Sequence, residues 1–420
     1  SHMGEFIYNG KDANNGNLNG TPRARNSANY LIGLGGSISS DKTLTLANSP
    51  YLVNRLGLIV PQGVTLTIDP GVVIKIVSAQ EPWIHILGTI KANGTPAQPV
   101  VFTSFYDDEY GGDTNADGSA TTPAAGNWRR LFIDTTSVGS TFTHTLVRYG
   151  GNTDYTDSAA KRGAIGVDSA TVSFDRLIVE RSNFHGLSLA NSNSAITNSR
   201  FSTSTNPVAA GLYISGGSPT ISNSIFSGNY IGATIENATP TFSSNLFTGN
   251  MLEAVRNSGV IGSFSGNSGS GNGKNAILIS YGGTITSAGA TTTLLANGLP
   301  YLIHATAIVA PGSTLSFATG VVVKGWDSAQ NNYGNISVPS GAAIHSAGTA
   351  PSDLVFTSIY DSSVGGTVSS NLPAPAAGTW KGITMDAGGR VNLSGFTMKY
   401  AGADAMSFPP ANSIYKGAIK

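Results

Sequence analysis

The chain has 420 residues, of which 11% are charged, and its 23 basic and 23 acidic side chains cancel. A neutral chain offers no basic field for a phosphate backbone, which argues against nucleic-acid binding, and no apolar run approaches the roughly 18 residues that a membrane-spanning helix needs. The 40% hydrophobic content is too high for a disordered chain, and the absence of cysteine removes disulfides, thiolate metal sites and thiol nucleophiles.

In chain order, residues 1–6 (SHMGEF) read as a tag and cloning remnant. Residues 7–34 read as the tail of a preceding repeat unit or an N-terminal cap, because 29–36 (NYLIGLGG) matches 275–283 (NAILISYGG). From residue 35 onward, short β-branched runs such as Val64-Thr65-Leu66-Thr67-Ile68 are each closed by Gly, Pro, Asn or Ser, which predicts strands and no long helix. Between residues 170 and 283 these strands recur. Ile221-Ser222-Asn223-Ser224-Ile225-Phe226 returns 21 residues later as Phe242-Ser243-Ser244-Asn245-Leu246-Phe247, and an earlier copy is Ile196-Thr197-Asn198-Ser199-Arg200-Phe201. One such unit cannot bury its own apolar face, so neighbours must stack.

A longer repeat overlies the short one. Residues 59–75 (IVPQGVTLTIDPGVVIK) return at 308–324 (IVAPGSTLSFATGVVVK), and 123–128 (PAAGNW) returns at 375–380 (PAAGTW). The repeat divides the chain into a first unit over 35–281 and a partial second unit, continuous with it, over 282–420. The chain is thus expected to be a fragment of a larger tandem-repeat protein.

This pattern resembles the right-handed parallel β-helix proteins, the architecture of pectate lyases, polygalacturonases and many bacterial surface proteins. The resemblance implies an all-β solenoid with long loop excursions. Ile196, Ile221 and Phe242, with Phe201, Phe226 and Phe247, are expected to stack inside it. Asn198 and Asn223 share one register, where they form either an internal amide ladder or simple left-handed turns.

The most specific local signal is in residues 107–119 (DDEYGGDTNADGS), whose DTNADG core spaces oxygen-bearing side chains as calcium loops do. Asp107, Asp108, Asp113, Asn115 and Asp117 are the expected ligands, although Ala124 stands where such a loop usually ends in Glu. The competing reading is a solvated acidic turn. The second copy, 360–369 (YDSSVGGTVS), keeps the Gly pair and drops nearly every acid, so the loop scaffold does not require metal and calcium would serve to stiffen it.

Lyases of the resembling family need an Arg or Lys base beside a carboxylate-held calcium, and galacturonan hydrolases need clustered aspartates with GHG and RIK elements. No GHG, RIK or R-x-x-P-x-x-R occurs, and no catalytic residue is assigned. His85, His144, His185, His304 and His345 read as surface or turn residues. Asp154 and Asp157 with Lys161 and Arg162, and Glu180 with Arg181, read as surface charge. Tyr106, Tyr110, Trp128 and Tyr155 gather around the long loop and are candidates for stacking on sugar rings, with Trp128 and its counterpart Trp380 alternatively packing anchors. Trp83 and Trp326, which have no tryptophan counterpart, are weaker candidates for exposed ligand contacts.

The resulting expectation is a non-enzymatic, extracellular or cell-surface β-helical module of a larger repetitive protein. It would act as an adhesin or stalk that binds polysaccharide or cell-surface glycan and carries a calcium-stabilised loop. The alternative is a polysaccharide lyase or glycoside hydrolase with its groove between the loops around 105–130 and 150–162.

Overall fold

The computed structural model describes residues 6–9, 30–77, 83–152, 156–204, 206–279, 283–326 and 333–403. Most of the 7–34 segment therefore lies outside the described residues. The chain packs as two compact units, one of residues up to 220 with 227–230, the other of 221–226 with 231 onward.

Unit 1 is a right-handed parallel β-helix whose coils contribute strands to three faces. One face stacks Trp83–Ile86, Arg130–Ile133, Gly163–Asp168 and His185–Ala190 in parallel register. Alternation puts Ile84, Leu131, Ile165 and Leu187 inward in one column, each 0% exposed. A second face stacks Thr65–Ile68 on Thr89–Asn93, and the third stacks Val73–Ile76 on Val100–Ser104. Strand Thr141–Arg148 is long enough to serve both of these faces, pairing through Phe142 with Ala92 and through Leu146 with Val101. Phe142 and Phe174 stack at 5.2 Å where their coils meet.

Unit 2 repeats the plan, first with shorter coils. Phe226 lies on Phe247 at 4.8 Å, and Phe242 on Phe264 at 5.3 Å. Beyond residue 280 the coils lengthen, and two four-stranded parallel sheets form, one through Gly283–Thr284, Thr306–Ile308, Asn335–Val338 and Gly382–Met385, the other through Thr291–Leu294, Thr314–Phe317, Ala343–Ser346 and Arg390–Asn392.

The amide ladder exists, but at other asparagines than those expected. Asn198 and Asn223 are exposed, with φ of 52° and 50°, so they make the left-handed turns that Asn tolerates. The ladder runs on inward positions that follow such turns. Asn267 Nδ2 donates to Phe242 O at 3.0 Å and to Asn297 Oδ1 at 3.0 Å, and its Oδ1 accepts from the N–H and Nδ2 of Asn245. A parallel ladder links Asn250, Asn272 and Asn275 through Nδ2 to Oδ1 contacts of 2.7 and 2.9 Å. Buried backbone groups at the coil corners have no sheet partner, and these amides satisfy them.

Candidate functional site

The long loop of unit 1 leaves strand Val100–Ser104 and crosses the outside of the coil. Two buried cations hold it. Lys75 is 0% exposed, and its Nζ donates to Gly112 O at 2.5 Å and Thr114 Oγ1 at 2.9 Å. Burial lowers its pKa to about 8, against the opposing pull of Asp108, Asp107 and Asp113. Arg148 is sandwiched between the rings of Tyr110 (5.2 Å) and Tyr149 (4.8 Å). It pairs with Glu109 at 2.6 Å and Glu180 at 3.2 Å.

Asp107 belongs to this scaffold and lies outside the group of carboxylates formed by Asp108, Asp113 and Asp117. It is buried, accepts from the Thr103 hydroxyl and from the Glu109 N–H, and lies 3.6 Å from Arg148 Nη1. The second copy supplies the control. Asp361 accepts from Thr357 Oγ1 at 2.7 Å and from the Ser363 N–H at 3.0 Å. Lys324 Nζ donates to Asp361 O at 2.6 Å and Gly366 O at 2.7 Å, and burial lowers its pKa to about 8 as well. The lysine-to-glycine carbonyl contact, to Gly112 O in one copy and Gly366 O in the other, recurs where the acid cluster is missing.

The remaining acids do gather. Carboxylate oxygens of Asp108, Asp113 and Asp117 lie within 4.8 Å of one another. Asp113 turns the loop by accepting from the N–H of Asp117 (3.2 Å) and Gly118 (2.9 Å), while Ala116 and Gly118 take φ of 55° and 73°. Asn115 Nδ2 donates to Asp117 Oδ2 at 2.8 Å. Asp108 Oδ1, Asn115 Oδ1 and Asp117 Oδ1 are buried with no hydrogen-bond partner. Desolvation first, then the Asp113 charge, raises the Asp108 pKa. Three crowded carboxylates and an amide oxygen form a hard-oxygen set that suits calcium, with Asp108, Asp113, Asn115 and Asp117 as the residues that would hold it.

The aromatic candidates divide. Tyr106 packs on Phe105 and Leu52, and Tyr110 on Val73, Val101 and Leu146, both half-buried. Trp128 is 1% exposed and donates through Nε1 to Arg148 O at 2.9 Å, as Trp380 does to Lys399 O at 2.8 Å. Trp128 therefore has no face open to a ligand, because it fills the corner beneath the loop. Tyr155 and Asp154 lie outside the described residues.

Other charges are engaged. Asp157 pairs with Arg130 at 2.6 Å and Arg129 at 3.5 Å. Glu180 is turned back to Arg148 and is no exposed turn pair. His185 is a core residue, not a surface one. It stacks on Tyr213 at 4.6 Å, its Nδ1 accepts from the Ala210 N–H at 2.9 Å, and burial lowers its pKa to about 3. His85 meets Asp134 at 2.8 Å.

Sequence reasoning missed Lys75, Lys324 and Arg148. The signal was present: each lysine ends an otherwise apolar run (VVIK and VVVK) in both copies, and a buried lysine persists only where its charge is satisfied.

Stacked coils, in-register aliphatic columns and loops stapled onto the outer face together define a parallel β-helix repeat protein. Residues 36–167 match the family model described as a pectate-lyase like beta helix domain. A stretch of 84 residues, 20% of this chain, is 39% identical to Protein bark beetle of Drosophila melanogaster, and it spans 3% of that relative's length. Among solved structures, the alginate lyase from Paenibacillus sp. str. FPU-7 aligns with a TM-score of 0.35 and 13% identity, over 71% of this chain and 91% of the lyase. No helix among the described residues is long and apolar enough to cross a membrane.

Proposed function

We propose that the chain is a non-catalytic β-helical module of a larger extracellular or cell-surface protein, an adhesive stalk that binds carbohydrate and stiffens its 105–127 loop with calcium. One observation carries the non-catalytic part. Lys75, the base beside the acid cluster, is fully buried and spends its protons on loop carbonyl and hydroxyl oxygens, and Lys324 does the same in a copy that has no acid cluster. A lyase base must reach the substrate proton, and a staple does not. The calcium part is supported by the three buried oxygens without partners.

The second reading, a polysaccharide lyase, is favoured by the same lysine's lowered pKa, about 8, beside carboxylates. The two separate in one assay. The full chain is incubated with uronate-containing and neutral polysaccharides, with calcium and with chelator, and both binding and product formation are followed. The expected result is binding without new reducing ends or unsaturated products. Turnover that disappears in a folded Lys75→Met variant would establish the lyase instead.

A further inference from the structure

The two copies share their inward side chains on one coil face and differ in their outward ones. In unit 1, strand Trp83–Ile86 pairs with Arg130–Ile133, setting Trp83 against Arg130, Ile84 against Leu131 and His85 against Phe132. The repeat puts Asn335–Val338 and Gly382–Met385 in the same register, with Asn335 against Gly382, Ile336 against Ile383 and Ser337 against Thr384. Inward, Ile84, Ile86 and Leu131 correspond to Ile336, Val338 and Ile383, none more than 1% exposed. Outward, Trp83 corresponds to Asn335, His85 to Ser337 and Phe132 to Thr384. The coil closes with Asn335 and Ser337 in place of Trp83 and His85, so its closure does not require that pair, whereas Phe132, 2% exposed, packs against Ala160 and Ala190.

Trp83 and His85 lie on the outward side of the coil above it. The Trp83 indole stacks on the His85 imidazole at 4.7 Å with 23° between planes, and His85 lies 5.3 Å from Phe132. His85 Nε2 is 2.8 Å from Asp134 Oδ2, and these two side chains remain 15% and 25% exposed. Gly57 gives the indole its place, since a Cβ there would stand 2.6 Å from the Trp83 carbonyl oxygen and 2.9 Å from Cδ1.

A flat ring flanked by fixed polar atoms suits a ligand with one C–H face and a rim of hydroxyls. We propose that Trp83, His85 and Asp134 form a saccharide subsite: the indole receives the C–H face of a pyranose ring, and the imidazole–carboxylate pair hydrogen-bonds its hydroxyls. This rests on the carbohydrate-binding reading above and gives it a location away from the calcium loop.

The test uses residues that the second copy already carries. Trp83→Asn and His85→Ser variants of the full chain, with Trp83→Phe as a ring-retaining control, are titrated calorimetrically with neutral and uronate oligosaccharides up to millimolar concentration. Binding is expected to weaken at least tenfold in Trp83→Asn, less in His85→Ser and least in Trp83→Phe, with thermal midpoints unchanged. The arm that binds identifies neutral or acidic sugars. Equal binding by wild type and all variants overturns the subsite but leaves carbohydrate binding standing. If no oligosaccharide binds the wild type, both fall.

Discussion

The side chains that matter most to the long loops are two lysines that composition alone would place in solvent. Lys75 and Lys324 lose hydration and recover it from loop oxygens, and this has a pH signature. Their folded pKa, about 8, lies below the ordinary lysine value of 10.5, so the unfolded chain binds the proton more tightly. Stability is therefore expected to rise as pH increases through about 8 and to level off above 10.5. Thermal melts across that range should show the rise in wild type and a flatter profile in Lys324→Met; identical profiles would refute the assignment. His185 acts at the other end. Its folded pKa near 3 lies below 6.5, so its contribution is complete above 6.5 and is lost as pH falls toward 3. A His185→Phe variant should lose part of that acid sensitivity, measured as the slope of midpoint against pH. The sequence did not disclose His185, because a histidine beside Glu180-Arg181 looks like surface, and only the stacking of His185 on Tyr213 from the next coil reveals it as core.

Strands were legible because period-2 burial and turn residues are local properties, and the inward placement of Phe226, Phe242 and Phe247 followed directly. Corners were less so. Asn198 and Asn245 both look like turn asparagines, yet one points out at positive φ and the other points in, a difference of a single residue in where the chain bends. The inward amides predict a large mutational cost. Asn267→Val removes four hydrogen bonds and strands Phe242 O and the Asn245 N–H, so a loss of about 2–4 kcal/mol is expected. Asn223→Ala should cost under about 1.5 kcal/mol. Denaturant midpoints of the two variants test the ranking, which fails if Asn223 proves the more sensitive. In the acidic loop, the DTNADG spacing made the proximity of Asp113 and Asp117 legible, and Asp108 joins them, whereas Asp107 lies in the Thr103–Arg148 scaffold, as its counterpart Asp361 does beside Thr357. Saturating calcium at about 100 times its Kd should stabilise the fold by about 2.7 kcal/mol, and an Asp113→Asn/Asp117→Asn variant should show no shift. A calcium response unchanged in that variant would rule this site out.

At the scale of the whole molecule, duplication separates what the coil needs from what was added to it. Aliphatic columns, the buried lysine and the corner tryptophan occur in both copies, whereas the acid cluster and the Trp83–His85 pair occur in one. Stacked coils also distribute stability by nearest neighbours. The asparagine ladders add one more property. Asn245 and Asn267 each complete the hydrogen bonding of the coil before them, through the same two atoms, and the run ends where Asn297 donates to the Tyr301 hydroxyl. Nothing in that pattern counts its own members. The length of this run of coils is thereby quantised, and it can be edited by inserting or deleting one whole coil of about 22 residues, leaving every surviving amide with the kind of partner it had before.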